Sequence, residues 1–203
     1  MDSPIKAAIK KTFLYRWLLP VYRPLADRIK AKPLSDPLRW KLVQEYGEKN
    51  AYKCLIETGT YLGNMIDFNK NNFSTIFSIE LDAQLAKNAQ ERFKEFPYIK
   101  ILQGDSGVVL SQLLPTINEP VVFWLDAHYS AGITKRGDKE TPIVEELAGI
   151  FSNLKQKFVI LIDDARVFRG QNDYPTIKAL KKYVLEKKPE LHFEVADDVI
   201  RIY

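Results

Sequence analysis

The sequence has little cysteine and little histidine. Its 203 residues include one cysteine, Cys54, and two histidines. A disulfide framework and a zinc site built on cysteines are therefore excluded, and we expect a reducing, cytoplasmic setting. No run approaches the roughly 20 apolar residues of a membrane span. The start of the chain also lacks an apolar signal core followed by small residues, so we expect no secretion.

Basic residues are concentrated at one end of the chain. Residues 1–40 contain nine Lys and Arg against three Asp, whereas the whole chain has a formal net charge of +4. The remainder is therefore slightly acidic, and the sequence pI near 8.9 does not indicate a nucleic-acid partner for the core. With 46% apolar residues, the chain is long enough for one globular domain with a substantial core.

Residues 1–45 are predicted to form a basic helical arm. Apolar residues recur every four positions from Ile5 to Trp17, which predicts an amphipathic helix over residues 4–19. Two interpretations of the arm stay open. It packs on the domain or on a partner subunit, as in a homodimer, or it lies peripherally on an anionic membrane. A second helix is expected over residues 37–50.

Residues 46–203 are predicted to form one domain in which apolar strands alternate with helices. This alternation favours an open α/β sheet that is mostly parallel. The last two strands are joined by three residues, so they form an antiparallel hairpin at the sheet edge. The predicted strands are 53–57, 76–80, 99–103, 121–125, 158–162, 192–195 and 199–203. The predicted helices are 62–71, 82–95, 107–114, 142–154 and 175–187.

A glycine-containing loop follows the first of these strands. Gly59 and Gly63 let the backbone approach a ligand closely, and the helix that follows offers free N–H groups. The dinucleotide fingerprint G-x-G-x-x-G is absent. Glu57, at the strand end, would repel a pyrophosphate but suits a cofactor with an ammonium and a sulfonium. These two features disfavour an NAD-binding oxidoreductase, and the alternative is an ordinary strand–turn–helix corner.

Acidic residues stand at the ends of several strands. Glu57, Glu80 and Asp126 end or follow three of them, and Asp105 follows a fourth. The carboxyl ends of parallel strands lie on one edge of the sheet, where clustered carboxylates are costly unless they meet cations or donors. Glu80 is placed to hold ribose hydroxyls, as the second-strand acid does in dinucleotide folds. Asp105, with Ser106, is expected to bind a base edge.

Three of the strand-end acids suggest a metal site. Asp126 and the pair Asp163-Asp164 follow strands that are adjacent in the usual order. Converging carboxylates suit a hard divalent ion such as Mg²⁺. The alternative for the pair is a helix cap with a salt bridge to Arg166 or Arg169.

A long irregular loop leaves the end of the fourth strand. It runs from His128 to Thr141 and contains glycines and charged residues that a packed strand would not tolerate. Its place at the ligand-binding edge makes it a lid candidate. Thr141 and Pro142 are predicted as the N-cap and first residue of the next helix.

The ordered motifs resemble those of class I S-adenosylmethionine-dependent methyltransferases, over about residues 50–203. The motifs are Glu57-Thr-Gly-Thr-Tyr-Leu-Gly63, Ser78-Ile-Glu80, Gly104-Asp105-Ser106 and Leu125-Asp126. The resemblance implies a Rossmann-like three-layer sandwich with a mostly parallel seven-stranded sheet and a C-terminal antiparallel hairpin. It also implies S-adenosylmethionine as cofactor and a hydroxylated small molecule as substrate. The cofactor-binding residues so implied are Glu57, Thr58, Gly59, Thr60, Tyr61, Gly63, Glu80, Leu81, Asp105, Ser106 and Asp126.

Within that class, the three metal-candidate acids resemble the Mg²⁺ triad of the catechol O-methyltransferase-like group. There the last member is Asn, whereas this chain has Asp164. That group also has a lysine general base three residues after the first aspartate, where this chain has Tyr129. The departure leaves catechol as substrate, and metal dependence, open. The pattern is also similar to bacterial sugar and antibiotic O-methyltransferases.

The mechanism implied is in-line methyl transfer from a sulfonium to a substrate oxygen. A metal held by Asp126, Asp163 and Asp164 would lower the pKa of the substrate hydroxyl. His128 is the candidate to take its proton, and the alternative is a loop histidine bonded to backbone. Two further functions stay open: a metal-independent methyltransferase acting on another nucleophile, and a non-catalytic cofactor-binding or scaffold protein.

Overall fold

The structure is a computed structural model that describes residues 34–126 and 141–203. In these residues a seven-stranded sheet has the strand order β3-β2-β1-β4-β5-β7-β6. The strands are β1 (Cys54–Thr58), β2 (Thr75–Glu80), β3 (Ile99–Gln103), β4 (Val121–Leu125), β5 (Phe158–Ile162), β6 (Phe193–Ala196) and β7 (Val199–Ile202). Every predicted strand is present, and each bound differs from the prediction by at most one residue.

The described helices also follow the predicted order. They are α1 (Asp36–Asn50), α2 (Asn64–Asn69), α3 (Ala83–Arg92), α4 (Ser106–Leu113), α5 (Ile143–Asn153) and α6 (Ile177–Lys187). Two short 3₁₀ turns, Leu114–Thr116 and Ala165–Val167, add to them. The predicted start of α5 is one residue early, because Pro142 is the N-cap and the Thr141 hydroxyl accepts from the Ile143 backbone N–H at 3.3 Å.

The pairing of the strands confirms the predicted mostly parallel sheet with an antiparallel hairpin. β1 lies between β2 and β4, and all its pairing is parallel. β7 is antiparallel to both β5 and β6. The hairpin turn carries Asp197 and Asp198 at φ 55° and 64°, which suits a two-residue turn that matches the twist of the strands.

The core has two halves, one on each face of the sheet. Side chains alternate along each strand, so Cys54 and Ile56 face one half while Leu55 faces the other. Helices α4, α5 and α6 cover the first half, and α1, α2 and α3 contribute to the second. The result is the predicted three-layer sandwich.

Helix α1 is an integral part of the second half of the core. It crosses residue 45, where the arm was predicted to end, and its Leu42 and Val43 are buried. Ala51 ends the helix in a left-handed conformation, with φ 56°. Residues 1–33, which include most of the predicted arm, lie outside the described residues. Within the described part of the chain, no helix is long and apolar enough to cross a membrane.

The strand order places a crevice at the carboxyl end of β1. The chain moves from β1 outward to β2 and β3, then returns to the other side of β1 to form β4. Open α/β sheets bind their ligands where the order reverses in this way. The glycine loop and the strand-end acids predicted from the sequence therefore meet at this edge.

Candidate cofactor and active site

The loop after β1 is held in a tight, left-handed path. Gly59 and Gly63 have φ 87° and 78°, and Tyr61 between them has φ 48°. The Gly63 N–H donates to the Thr60 carbonyl at 2.8 Å. A Cβ on Gly63 would lie 2.7 Å from the Phe93 ring, so the chain passes too close for a side chain. The loop therefore turns directly into α2 and exposes backbone at the crevice.

Glu57 is buried beneath this loop, with 2% of its surface exposed. The Ser78 hydroxyl donates to its Oε2 at 2.6 Å, and Thr60 lies 2.6 Å from the same hydroxyl. Since Ser78 gives its proton to Glu57, Thr60 donates to Ser78. Burial raises the pKa of Glu57 to about 8, against the lowering effect of Ser78. Within the described residues Glu57 has no ion pair, so a cationic group of a ligand would stabilise its ionised carboxylate.

Glu80, at the end of β2, braces the loop from the other side. Its Oε2 accepts the backbone N–H of Tyr61 at 2.8 Å, and its Oε1 accepts that of Asp82 at 2.9 Å. The side chain of Tyr61 is half exposed, whereas Glu80 is 6% exposed. Leu81 follows, and its carbonyl accepts from the Gln103 side chain at 3.0 Å. Each carboxylate oxygen keeps a lone pair for a further donor, such as a ribose hydroxyl.

The residues after β3 have defined structural roles. Asp105 caps α4 by accepting the Gly107 N–H at 2.9 Å, and it is exposed. Ser106 is buried, and its hydroxyl donates to Glu146 at 2.6 Å. Binding of a base edge by Asp105 and Ser106 stays a prediction.

Glu146 is a site residue that the sequence reasoning missed. It lies in the first turn of α5 and is 1% exposed. Burial raises its pKa to about 7, against the lowering effect of the Ser106 hydrogen bond. Its spacing from Ile143, Leu147 and Ile150 puts it on the apolar face of α5. An acid at such a position is a readable signal of a special environment.

One cavity brings three acidic side chains together. Asp126 and Asp163 directly follow Leu125 and Ile162, which are register partners on β4 and β5. Both acids line the cavity, and so does Glu146 from α5. The complete lining is Leu125, Asp126, Thr141, Ile143, Glu146, Ile162, Asp163, Phe168 and Tyr174. The cavity therefore presents three carboxyl groups, and burial with the charges of Asp126 and Asp164 raises the pKa of Asp163 to about 8.

The pair Asp163-Asp164 is held by two arginines. Arg39 of α1 contacts Asp163 Oδ2 through Nη1 at 3.0 Å and Asp164 Oδ1 through Nη2 at 3.0 Å. Arg166 contacts the same Asp164 oxygen at 2.6 Å and also pairs with Asp198 of the β6–β7 turn. The salt bridge to Arg166 that was the alternative to a metal is therefore present.

The described residues do not fit the predicted Mg²⁺ site. Within residues 34–126 and 141–203, no group of three or more His, Cys, Asp or Glu is arranged to hold a metal ion. Asp163 and Asp164 instead direct their oxygens at the guanidinium of Arg39. His128, Tyr129 and the rest of the predicted lid up to residue 140 lie outside the described residues.

The chain was compared with protein families, curated sequences and solved structures. No protein-family model matches the chain, and no curated protein sequence matches it. Solved structures do match over nearly its whole length. An O-methyltransferase from Bacillus cereus in complex with SAH is 14% identical, with a TM-score of 0.61 and coverage of 98% of this chain and 96% of that one. The chain has the class I methyltransferase fold.

Two other structures with this methyltransferase fold are similar. The SAH-bound methyltransferase PaMTH1 from Podospora anserina is 17% identical, with a TM-score of 0.60 and coverage of 98% of this chain and 92% of that one. The O-methyltransferase TomG from Streptomyces achromogenes, involved in tomaymycin synthesis and in complex with SAM, is 15% identical. Its TM-score is 0.59, and the match covers 83% of this chain and 79% of that one. At these identities the likeness establishes the fold.

Proposed function

We propose that the chain is an S-adenosylmethionine-dependent methyltransferase that methylates an oxygen of a hydroxylated small molecule. The observation that carries this proposal is Glu57, a buried acid without an ion pair in the described residues, beneath a glycine loop at the reversal of strand order. A cationic cofactor fits this acid, whereas a pyrophosphate does not. SAM or SAH in similar folds, as in TomG and the B. cereus protein, adds support.

The residues that would hold the cofactor are distributed over the ends of β1 to β4. Glu57 faces the cationic end, Glu80 accepts ribose hydroxyls, and Asp105 with Ser106 stands where a base edge would lie. Thr58, Gly59, Thr60, Tyr61, Gly63, Leu81 and Asp126 complete the proposed set. Because Glu80 already fixes the Tyr61 backbone, cofactor binding and loop geometry depend on the same carboxylate.

The chemistry proposed is transfer to oxygen with loss of a proton. When bound, S-adenosylmethionine supplies an electrophilic methyl group on its sulfonium. The substrate oxygen gains this methyl group and its proton passes to a base on the protein, so that SAH remains. Asp126 lines the cavity and stands beside the crevice, so it orients the hydroxyl or receives the proton. His128 is the second proposed proton acceptor, because it follows Asp126 by two residues.

The metal-assisted form of this reaction needs Asp126, Asp163 and Asp164 to share one Mg²⁺. Their arrangement does not fit that role, because the guanidinium of Arg39 contacts both members of the pair. We therefore favour the metal-independent form of the proposal. In an assay with an active substrate, EDTA should leave turnover unchanged, and restored activity on addition of Mg²⁺ after EDTA would contradict it.

Calorimetry with SAM and SAH tests the proposed function directly. Wild-type protein should bind both, and Glu80→Ala should weaken binding by about 1.5–3 kcal/mol, the range for hydrogen bonds to a charged group. Glu91→Ala is the matched control, because Glu91 is an exposed helix residue paired with Lys94. Absence of SAH binding by the wild type would contradict the proposal.

Turnover separates an enzyme from a non-catalytic cofactor-binding protein. The substrate screen uses a labelled methyl donor with hydroxylated sugars, lipids and phenols. His128→Ala should slow turnover by about 10²-fold, with partial recovery at higher pH, if the histidine accepts the proton. SAM binding without transfer to any of these classes would favour the scaffold function, in which the basic arm contacts a partner or a membrane.

A further inference from the structure

Arg39 is a partly buried cation that reaches the carboxyl end of β5 from α1, which precedes the first strand. Its side chain is 17% exposed, and it lies 125 residues before Asp164 in sequence. Its two terminal nitrogens contact two different carboxylates, those of Asp163 and Asp164. A third acid, Asp36 in the first turn of α1, is 3.7 Å from Nη1 and is largely exposed. The guanidinium thus bridges the two acids at the end of β5.

The guanidinium of Arg39 reduces the repulsion between the neighbouring carboxylates, as a bound metal ion would. Asp163 is 4% exposed, precedes Asp164 and lines the cavity with Asp126, so three acidic side chains lie close together here. A guanidinium does not lose its proton under any condition that a folded protein tolerates. A divalent ion bound by Asp163 and Asp164 would lie close to the guanidinium of Arg39 and would be repelled by its charge. Arg39 and a metal ion are therefore not expected to contact Asp163 and Asp164 at the same time.

The second arginine, Arg166, contacts Asp164 but is not paired with Asp163. Arg166 contacts Asp164 and Asp198, and its side chain is 41% exposed. Within residues 34–126 and 141–203, Arg39 is the cation that contacts Asp163, the member of the pair that lines the cavity with Asp126. Loss of Arg39 would leave Asp164 anchored to Arg166 and would free the Asp163 carboxylate beside Asp126.

We propose that Arg39 is the resident cation of the active site, a positioning residue that holds Asp163 and Asp164 in place of a divalent metal ion. Its catalytic meaning rests on the proposed methyltransferase function, because Asp163 lines the same cavity as Asp126, the residue proposed to act on the substrate hydroxyl. Its exclusion of metals rests on the ion pairs alone. Removal of the positive charge at position 39 should therefore allow Asp126, Asp163 and Asp164 to bind a metal ion.

The test measures Mn²⁺ binding by electron paramagnetic resonance on the full-length protein. Wild-type protein should show no Mn²⁺ binding that depends on Asp163. Arg39→Gln and Arg39→Met should each gain Mn²⁺ affinity by about tenfold or more, since affinity for hard ions rises with the net negative charge of the site. Adding Asp163→Asn to either variant should abolish the gain.

Two controls separate charge from packing. Arg39→Lys keeps the positive charge and should keep Mn²⁺ out, although it has lost the bridging geometry. Lys41→Gln removes a charge from the exposed side of the same helix, where Lys41 pairs with Glu45, and should bind no Mn²⁺. Mn²⁺ binding by the wild type that Asp163→Asn abolishes would overturn the proposal. So would unchanged Mn²⁺ affinity in folded Arg39→Gln or Arg39→Met, as judged by circular dichroism.

SAH calorimetry on the same samples keeps the two proposals distinct. If wild-type protein fails to bind SAH while Arg39→Gln gains Mn²⁺, the proposed function fails and the role of Arg39 stands. If SAH binds normally and Arg39→Gln gains no Mn²⁺, the role of Arg39 fails and the proposed function stands.

Discussion

The hydroxyl of Ser106 donates a 2.6 Å hydrogen bond to the carboxyl group of Glu146. This contact joins the first residue of α4 to the first turn of α5, and both groups are buried. Glu146 also lines the cavity that holds Asp126 and Asp163. One short hydrogen bond therefore links Ser106, which is proposed to bind a base edge, to the cavity that Asp126 lines.

Cofactor binding is predicted to release protons at neutral pH. Burial raises the pKa of Glu57 to about 8, so the group is mostly protonated at pH 7 in the free protein. A cationic cofactor beside it lowers this pKa, and binding then ionises the carboxyl group. SAM affinity should rise between pH 7 and 8.5. Calorimetry in phosphate and in Tris should give different apparent enthalpies, and Glu57→Gln should remove the difference. Equal enthalpies for the wild type would contradict this.

Stability of the cofactor-free protein is predicted to fall as pH rises. Glu57 and Glu146 have an ordinary pKa of 4.5, and burial raises these values to about 8 and about 7. Below 4.5 both folded and unfolded states are protonated, so the contribution is fully present. Above it the unfolded state loses protons that the folded state keeps, and the contribution is lost through pH 7 to 8.

Urea unfolding at pH 5.5 and pH 8 measures this pH dependence. The free energy of unfolding should be lower at pH 8 by at least about 1 kcal/mol. Glu57→Gln and Glu146→Gln should each reduce the difference, because the amide cannot titrate. A wild-type protein that is more stable at pH 8 would show that these acids are ionised in the folded state.

A methyl group at Gly63 is predicted to destabilise the glycine loop. Gly63 has φ 78°, which costs an L-residue about 1–2 kcal/mol, and a Cβ would lie 2.7 Å from the Phe93 ring. Gly63→Ala should lower the melting temperature and weaken SAH binding. Gly149→Ala is the control, because this residue lies within α5 and its new Cβ would meet only the Ser111 hydroxyl at 3.3 Å. An equal loss of melting temperature and SAH affinity in both variants would contradict a special role of the Gly63 conformation.

Deletion of the arm is predicted to depend on where the chain is cut. Removal of residues 1–32 should leave a folded core, because α1 begins at Asp36. Removal of residues 1–45 should destabilise it, since Leu42 and Val43 are buried and Arg39 pairs with two acids. Thermal melts of the two truncations provide the comparison. A non-cooperative melt after removal of residues 1–32 would make the arm part of the core.

The sheet could be predicted because its strands are almost wholly apolar. Val121–Leu125 and Phe158–Ile162 carry no charge, and such runs are typical of strands buried on both faces. The proximity of the acids that follow these strands could also be predicted, because parallel strands end on the same edge of a sheet. The topology therefore predicts that Glu57, Asp126 and Asp163 lie near one another.

The electrostatic partners of those acids could not be predicted in the same way. Arg39 meets Asp164 across 125 residues, and no periodicity reports a contact of that separation. Three converging carboxylates indicated a cation, but the residue types alone did not say whether it would be a metal ion or a guanidinium. The role of Glu146 could not be predicted either, because its hydrogen-bond partner Ser106 lies 40 residues away in sequence.

The arginine–aspartate network also sets the order in which the site can form. Arg39 is synthesised long before Asp163 and Asp164, and Asp198 follows Arg166 by 32 residues. The backbone N–H of Arg166 and that of Ala165 both donate to Asp198, so the corner is fixed only after the last hairpin has paired. During synthesis the first strands can pair earlier, but these acidic residues and their arginines stay unassembled until β6 and β7 have left the ribosome. The site is thus expected to be the last part of the domain to fold.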